Sequence, residues 1–133
     1  MKFRKFKQNK LWRDKIVDLM EHNGSKVHWK RLNDDEFSAQ LKIKFIEEAE
    51  EVYNANTRKA LIEELGDILE VISSLCDAHK FTLQDIIDVQ QRKHEERGGF
   101  NGRKFVTIAE HTIGSYGEKY CLADPKKYPE IIE

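Results

Sequence analysis

Apolar residues recur at helical spacing in four successive stretches of the chain. Leu11, Ile16, Leu19 and Met20 predict a first helix over about residues 9–22, stopped by Asn23-Gly24. Residues 25–32 alternate only loosely and predict a short strand or an extended connector. Asn33 with Glu36 three positions on has the form of a capping box. It opens a second helix that should run to about Tyr53. Residues 54–56 read as a turn, and Thr57 caps a third helix to about Ala78. Thr82 and Asp85 then open a fourth, ending at Arg97 before Gly98-Gly99.

Beyond residue 100 the pattern changes. Residues 98–133 hold five of the seven glycines and both prolines. Phe105-Val106-Thr107-Ile108 predicts a short strand that pairs with residues 26–31. No repeat or low-complexity tract interrupts the chain. Four helices on short connections imply an all-α fold, a four-helix bundle completed by oligomerisation, because each apolar stripe needs a partner. The expected organisation is one domain over residues 1–133, with a helical core over about 9–100 and an irregular tail over 101–133.

Composition narrows the function classes. The chain has 133 residues, 39% hydrophobic and 35% charged, as expected of a soluble globular domain with a modest core. No apolar run approaches the roughly 18–20 residues of a membrane span. The N-terminal MKFRKFKQNK is basic but lacks an apolar run behind it, so a short disordered leader is expected rather than a secretory signal. Cys76 and Cys121 form no CxxC pair, and both read as reduced in a cytoplasmic protein. A net charge of −1 supplies no field for a nucleic acid polymer. Locally, basic stretches at residues 2–15 and 92–104 flank a strongly acidic one at 47–70, a distribution that suits a metal–phosphate ligand.

That acidic stretch carries the candidate chemistry. Glu48 falls about 20° from Leu41 and about 40° from Val52 on a helical wheel, at the edge of an apolar stripe of Leu41, Phe45, Ala49 and Val52. Glu51 lies beside it at i+3. Glu64 falls about 20° from Val71 and Leu75 and about 40° from Ile68, within the stripe of the third helix, with Asp67 at i+3. A glutamate there is costly unless paired, protonated or bound to metal. A helical hairpin brings the two acidic pairs face to face. Mg²⁺ suits such all-oxygen donors, and Mn²⁺ can replace it. Zinc has no His/Cys cluster to hold it. A diiron bundle would need Glu-x-x-His on two helices, whereas His94 has Gln91 at i−3. Glu47 and Glu50 fit a solvated helix face equally well.

Three motifs in order carry a resemblance. Glu47-Glu48-x-x-Glu51, twelve intervening residues, then Glu64-x-x-Asp67 resembles the EExxE…ExxD signature of the MazG-like all-alpha nucleoside triphosphate pyrophosphatase superfamily. The segment NKLWRDKI at residues 9–16 and the segment KHEERGGF at 93–100 resemble the two ends of its phosphoribosyl-ATP pyrophosphohydrolase-like branch. Trp12 and Val17 depart from that branch's pattern, and the tail after Phe100 lies outside the resemblance.

The resemblance implies metal ligands at Glu48, Glu51, Glu64 and Asp67, with Glu47 and Glu48 as catalytic carboxylates. It implies hydrolysis between the α- and β-phosphates of a nucleotide, giving a monophosphate and pyrophosphate. The metal would neutralise phosphate charge and acidify a water, while a carboxylate takes the proton. Arg13, Lys15, Lys93 and Arg97 are the expected phosphate contacts, with Asp14 holding Arg13. A homodimer or homotetramer is expected, because so small a bundle buries little alone. House-cleaning hydrolysis of standard or aberrant (d)NTPs is the leading function. Phosphoribosyl-ATP hydrolysis and a non-catalytic nucleotide- or partner-binding module are the alternatives.

Overall fold

The computed structural model describes residues 2–133. The chain divides into two units, residues 1–96 and residues 97–133. The first contains α1 (Asp14–His22), α2 (Asp34–Asn54), α3 (Arg58–His79) and most of α4 (Leu83–Arg97). The second contains α5 (Tyr116–Leu122). No strand occurs among the described residues, so the all-α expectation holds. The β pairing does not form: residues 26–31 and 105–108 have no ladder. The second run is too short to bury a face, with Phe105 90% and Val106 71% exposed.

Local sequence chemistry sets the helix ends. The Asn33 side chain accepts from the Glu36 N–H at 2.9 Å, and Glu36 accepts in return from the Asn33 N–H at 3.2 Å, completing the capping box. The Thr57 hydroxyl accepts from the Ala60 N–H at 3.1 Å, and Thr82 with Asp85 forms the equivalent reciprocal pair. Gly24 and Gly98 follow α1 and α4 with φ of 99° and 77°, values that suit glycine and stop each helix. The first helix is shorter than expected. It begins at Asp14, and residues 11–13 lie outside it, Arg13 with extended backbone.

Only α2 and α3 pack together as a helix pair among the described residues. They are antiparallel: Ser38 near the start of α2 hydrogen-bonds His79 at the end of α3 at 2.8 Å, and a short turn joins the other ends. The side chains withdrawn from solvent recur every three to four positions, as in a coiled-coil seam. On α2 they include Phe37, Leu41, Lys44, Glu48 and Val52; on α3, Ala60, Glu64, Asp67, Val71 and Leu75, with Cys76 next to it. Leu41, Val71 and Cys76 are the buried apolar residues. Phe45 and Ala49, expected in the stripe, lie outside it. The seam is rotated towards Glu48, so charged side chains occupy its middle and apolar ones its flanks. Within one chain, α2 and α3 are thus the packed pair among the described residues, as expected of a bundle that other copies complete. Ile16, Leu19 and Met20 on α1, and Leu83, Ile86 and Val89 on α4, remain exposed. No helix among the described residues is long and apolar enough to cross a membrane.

In the second unit, the Ser115 hydroxyl caps α5 by accepting from the Glu118 N–H at 3.4 Å. Tyr116, Tyr120 and Tyr128 form a ring cluster, with centroids 6.2 and 5.5 Å apart. After α5 the chain turns at Asp124, whose carboxylate accepts from the Lys127 N–H at 3.2 Å. The sequence reading missed α5, whose seven residues hold too few periodic positions to register as amphipathic.

Candidate metal centre

The middle of the α2–α3 seam gathers acids from both helices. Glu48, Glu64 and Asp67 each offer a carboxylate oxygen, and the three atoms lie within 4.8 Å of one another. All three side chains are half-buried. Partial burial and the neighbouring Asp67 charge push the Glu48 carboxyl above its ordinary range, against the opposing pull of Lys44. Partial desolvation raises Glu64 as well, helped by the charges of Asp67, Glu51 and Glu48. Such a trio repels itself when ionised, and a hard divalent cation would relieve the repulsion through oxygen donors alone. The residues present fit such an ion.

Cations of the chain surround the trio. Arg13 Nη2 donates to Asp67 Oδ1 at 2.7 Å. Lys10 Nζ lies 3.1 Å from Glu47 Oε1, and Lys44 Nζ lies 3.5 Å from Glu47 Oε2 and 3.8 Å from Glu48 Oε1. The Lys10 hydrogen bond is the main reason that Glu47 is held below the usual carboxylate range.

Of the acids singled out in the sequence, the structure therefore brings together Glu48, Glu64 and Asp67. Glu51 is exposed and its carboxylate lies outside the trio, though its charge raises both Glu48 and Glu64. Glu47 has a lysine on each oxygen. Arg13 is held by Asp67 and not by Asp14. Lys15 and Lys93 are exposed without an ion-pair partner among the described residues, and Arg97 belongs to the second unit. Lys44 was missed. Its position seven residues after Phe37 and four before Glu48 was the available signal, since a lysine on the seam face needs an acid partner. Two concavities of about 470 and 330 Å³, lined by Arg58, Lys59, Ile62 and Glu63 and by Asp34, Phe37, Asp77, Ala78 and Lys80, contain none of the trio.

The raised acids give a pH signature. Folded Glu48 and Glu64 hold their protons above pH 4.5, the ordinary value that applies in the unfolded chain. Their stabilising effect on the metal-free fold is thus full below that pH and is lost as pH rises through the raised values. A cation binds the ionised form, so its effect runs the other way. The rise in Tm caused by saturating Mg²⁺ should be small near pH 4.5 and grow towards neutrality. Scanning calorimetry across this range checks it, and a pH-independent increment would place the ion elsewhere.

Residues 38–99, just under half of the chain, match the sequence model of the MazG nucleotide pyrophosphohydrolase domain. The match begins in the second turn of α2 and ends just after α4, so it contains the entire trio. No curated protein and no solved structure matches the chain. The segment 38–99, which carries most of α2 and all of α3, is therefore similar to the MazG nucleotide pyrophosphohydrolase domain over the helices of the acidic seam.

Proposed function

We propose that this protein is a Mg²⁺-dependent nucleoside triphosphate pyrophosphohydrolase that cleaves between the α- and β-phosphates and releases pyrophosphate. The convergence of Glu48, Glu64 and Asp67 within 4.8 Å, inside the matched segment, is the observation that carries this reading. Glu51 completes the proposed ligand set from the adjacent flank. When bound, the ion supplies charge neutralisation and Lewis acidity at the phosphates.

The chain's own residues supply position and proton transfer. Glu47 is pinned by Lys10 and Lys44, so its role is to hold two cations beside the acids. The proton acceptor then falls to Glu48, whose one ion-pair contact among the described residues is the longer 3.8 Å approach of Lys44. Lys15, Lys93 and Arg97 are the proposed phosphate contacts. A second copy of the chain is proposed to cover the outer face of the hairpin, where Ile43, Ile46, Ile62, Leu65 and Leu69 are 45–60% exposed. Homodimer or homotetramer formation would wall the substrate site. A cytoplasmic enzyme that removes standard or aberrant (d)NTPs fits this chemistry.

Purified protein with Mg²⁺ and a panel of (d)NTPs should release pyrophosphate and nucleoside monophosphate in equal amounts. Phosphoribosyl-ATP belongs in the panel, and selective turnover of that compound would move the enzyme to histidine biosynthesis. Tight nucleotide binding with no release from any member would instead identify a non-catalytic binding module.

A further inference from the structure

The matched domain begins at residue 38, yet two cations bound to its acids come from far upstream. Lys10 and Arg13 lie in the non-helical stretch that precedes α1. Arg13 reaches Asp67 on α3 across 54 positions of sequence, and Lys10 reaches Glu47 on α2 across 37. The segment thus spans the hairpin, one anchor on each helix. The backbone of Arg13 is itself held, because its carbonyl accepts from the Ile16 N–H at 3.0 Å as α1 begins. Its guanidinium is therefore presented from a braced position rather than from a loose tail.

We propose that Arg13 is a positioning residue of the metal centre, fixing the Asp67 carboxylate so that its second oxygen is presented to the ion. Lys10 assists by fastening the same segment to α2. This rests on the metal reading given above. A carboxylate has two oxygens, and Arg13 engages Oδ1 at 2.7 Å, a short charge-assisted bond. Without it, the Asp67 carboxylate can turn about two bonds, and its other side-chain partner is Glu64 of the same acidic trio, which a bound cation would draw to itself. Outer-shell partners of this kind typically hold about 10–100-fold of metal affinity.

Two physical effects of Arg13 oppose each other, which makes the proposal decidable. The positive charge of Arg13 repels a neighbouring cation, so its removal would tighten metal binding if charge alone mattered. At a side chain 55% exposed, that effect is screened to roughly a few-fold. Loss of orientation acts in the other direction and is larger. R13A should therefore bind Mn²⁺ about 10-fold or more weakly by titration calorimetry on the full chain. R13K should recover only part of the loss, since lysine restores charge without the planar fork.

Far-ultraviolet circular dichroism verifies that each variant keeps its helices, and R13K supplies the readout if R13A does not fold. Unchanged or tighter Mn²⁺ binding in folded R13A, or in R13K where R13A fails to fold, would overturn the proposal. D67N separates this outcome from failure of the metal reading. If D67N binds Mn²⁺ like the unaltered chain, the metal is not at the trio. If D67N loses binding while R13A keeps it, only the positioning role is refuted.

Discussion

Glu64→Gln is expected to abolish pyrophosphate release while leaving the helical content intact. Glu64 sits in the α2–α3 seam, half-buried, beside Asp67 on its own helix and Glu48 across the interface. Glutamine is nearly isosteric, so packing survives, but it removes one of three convergent anionic donors. A loss of about 10²–10³-fold in kcat is the scale expected when one preorganised electrostatic contact disappears. The stability effect should have the opposite sign. Removing a carboxyl whose charge is disfavoured in the folded state relieves repulsion, so the metal-free variant should melt at or above the Tm of the unaltered chain near neutral pH. The activity assay and the melt together discriminate. Full activity in Glu64→Gln would refute the site, and a lower metal-free Tm would show that Glu64 acts as a structural partner.

Leu41→Ala should damage the site indirectly and the fold directly. Leu41 is 4% exposed and is one of only three buried hydrophobic residues among those described, with Val71 and Cys76. Truncating a buried leucine costs about 2–5 kcal/mol, a large share of the roughly 5–15 kcal/mol that holds a typical domain. Tm should fall by roughly 10 °C or more, read by circular dichroism at fixed protein concentration. Leu41 also stands seven residues before Glu48 on the same face of α2, so the loosened seam should weaken Mn²⁺ binding in protein that is still folded. A shift of less than about 2 °C would mean that the seam is held by contacts other than its small apolar core.

These two residues mark how far the sequence could be read. α2, α3 and α4 were legible because their ends carry their own chemistry: Asn33 with Glu36, Thr57, Thr82 with Asp85, and Gly98. The acid pairs were legible because i and i+3 share a helix face whatever the tertiary structure. Glu64 stood out because its wheel position fell within an apolar stripe, and the structure places it in the seam. Periodicity gave the wrong rotation for α2, however. Phe45 and Ala49 have the right polarity for a core, yet they lie outside the seam, while Lys44 lies within it. Polarity reports which residues prefer burial, not which partner will bury them, and one chain offers a single partner helix.

The chain's local code thus determined the all-α class, the boundaries of α2, α3 and α4 and the acids that share a face, since each depends on neighbours within four positions. Contacts across the hairpin lay beyond that code. The antiparallel register brings Glu48 to Glu64 and Asp67, and Arg13 settles on Asp67 rather than on adjacent Asp14. Charges separated by tens of residues choose among several opposite partners of similar attraction. Which pair forms is decided by the backbone geometry that puts one of them within about 3 Å and leaves the rest in water.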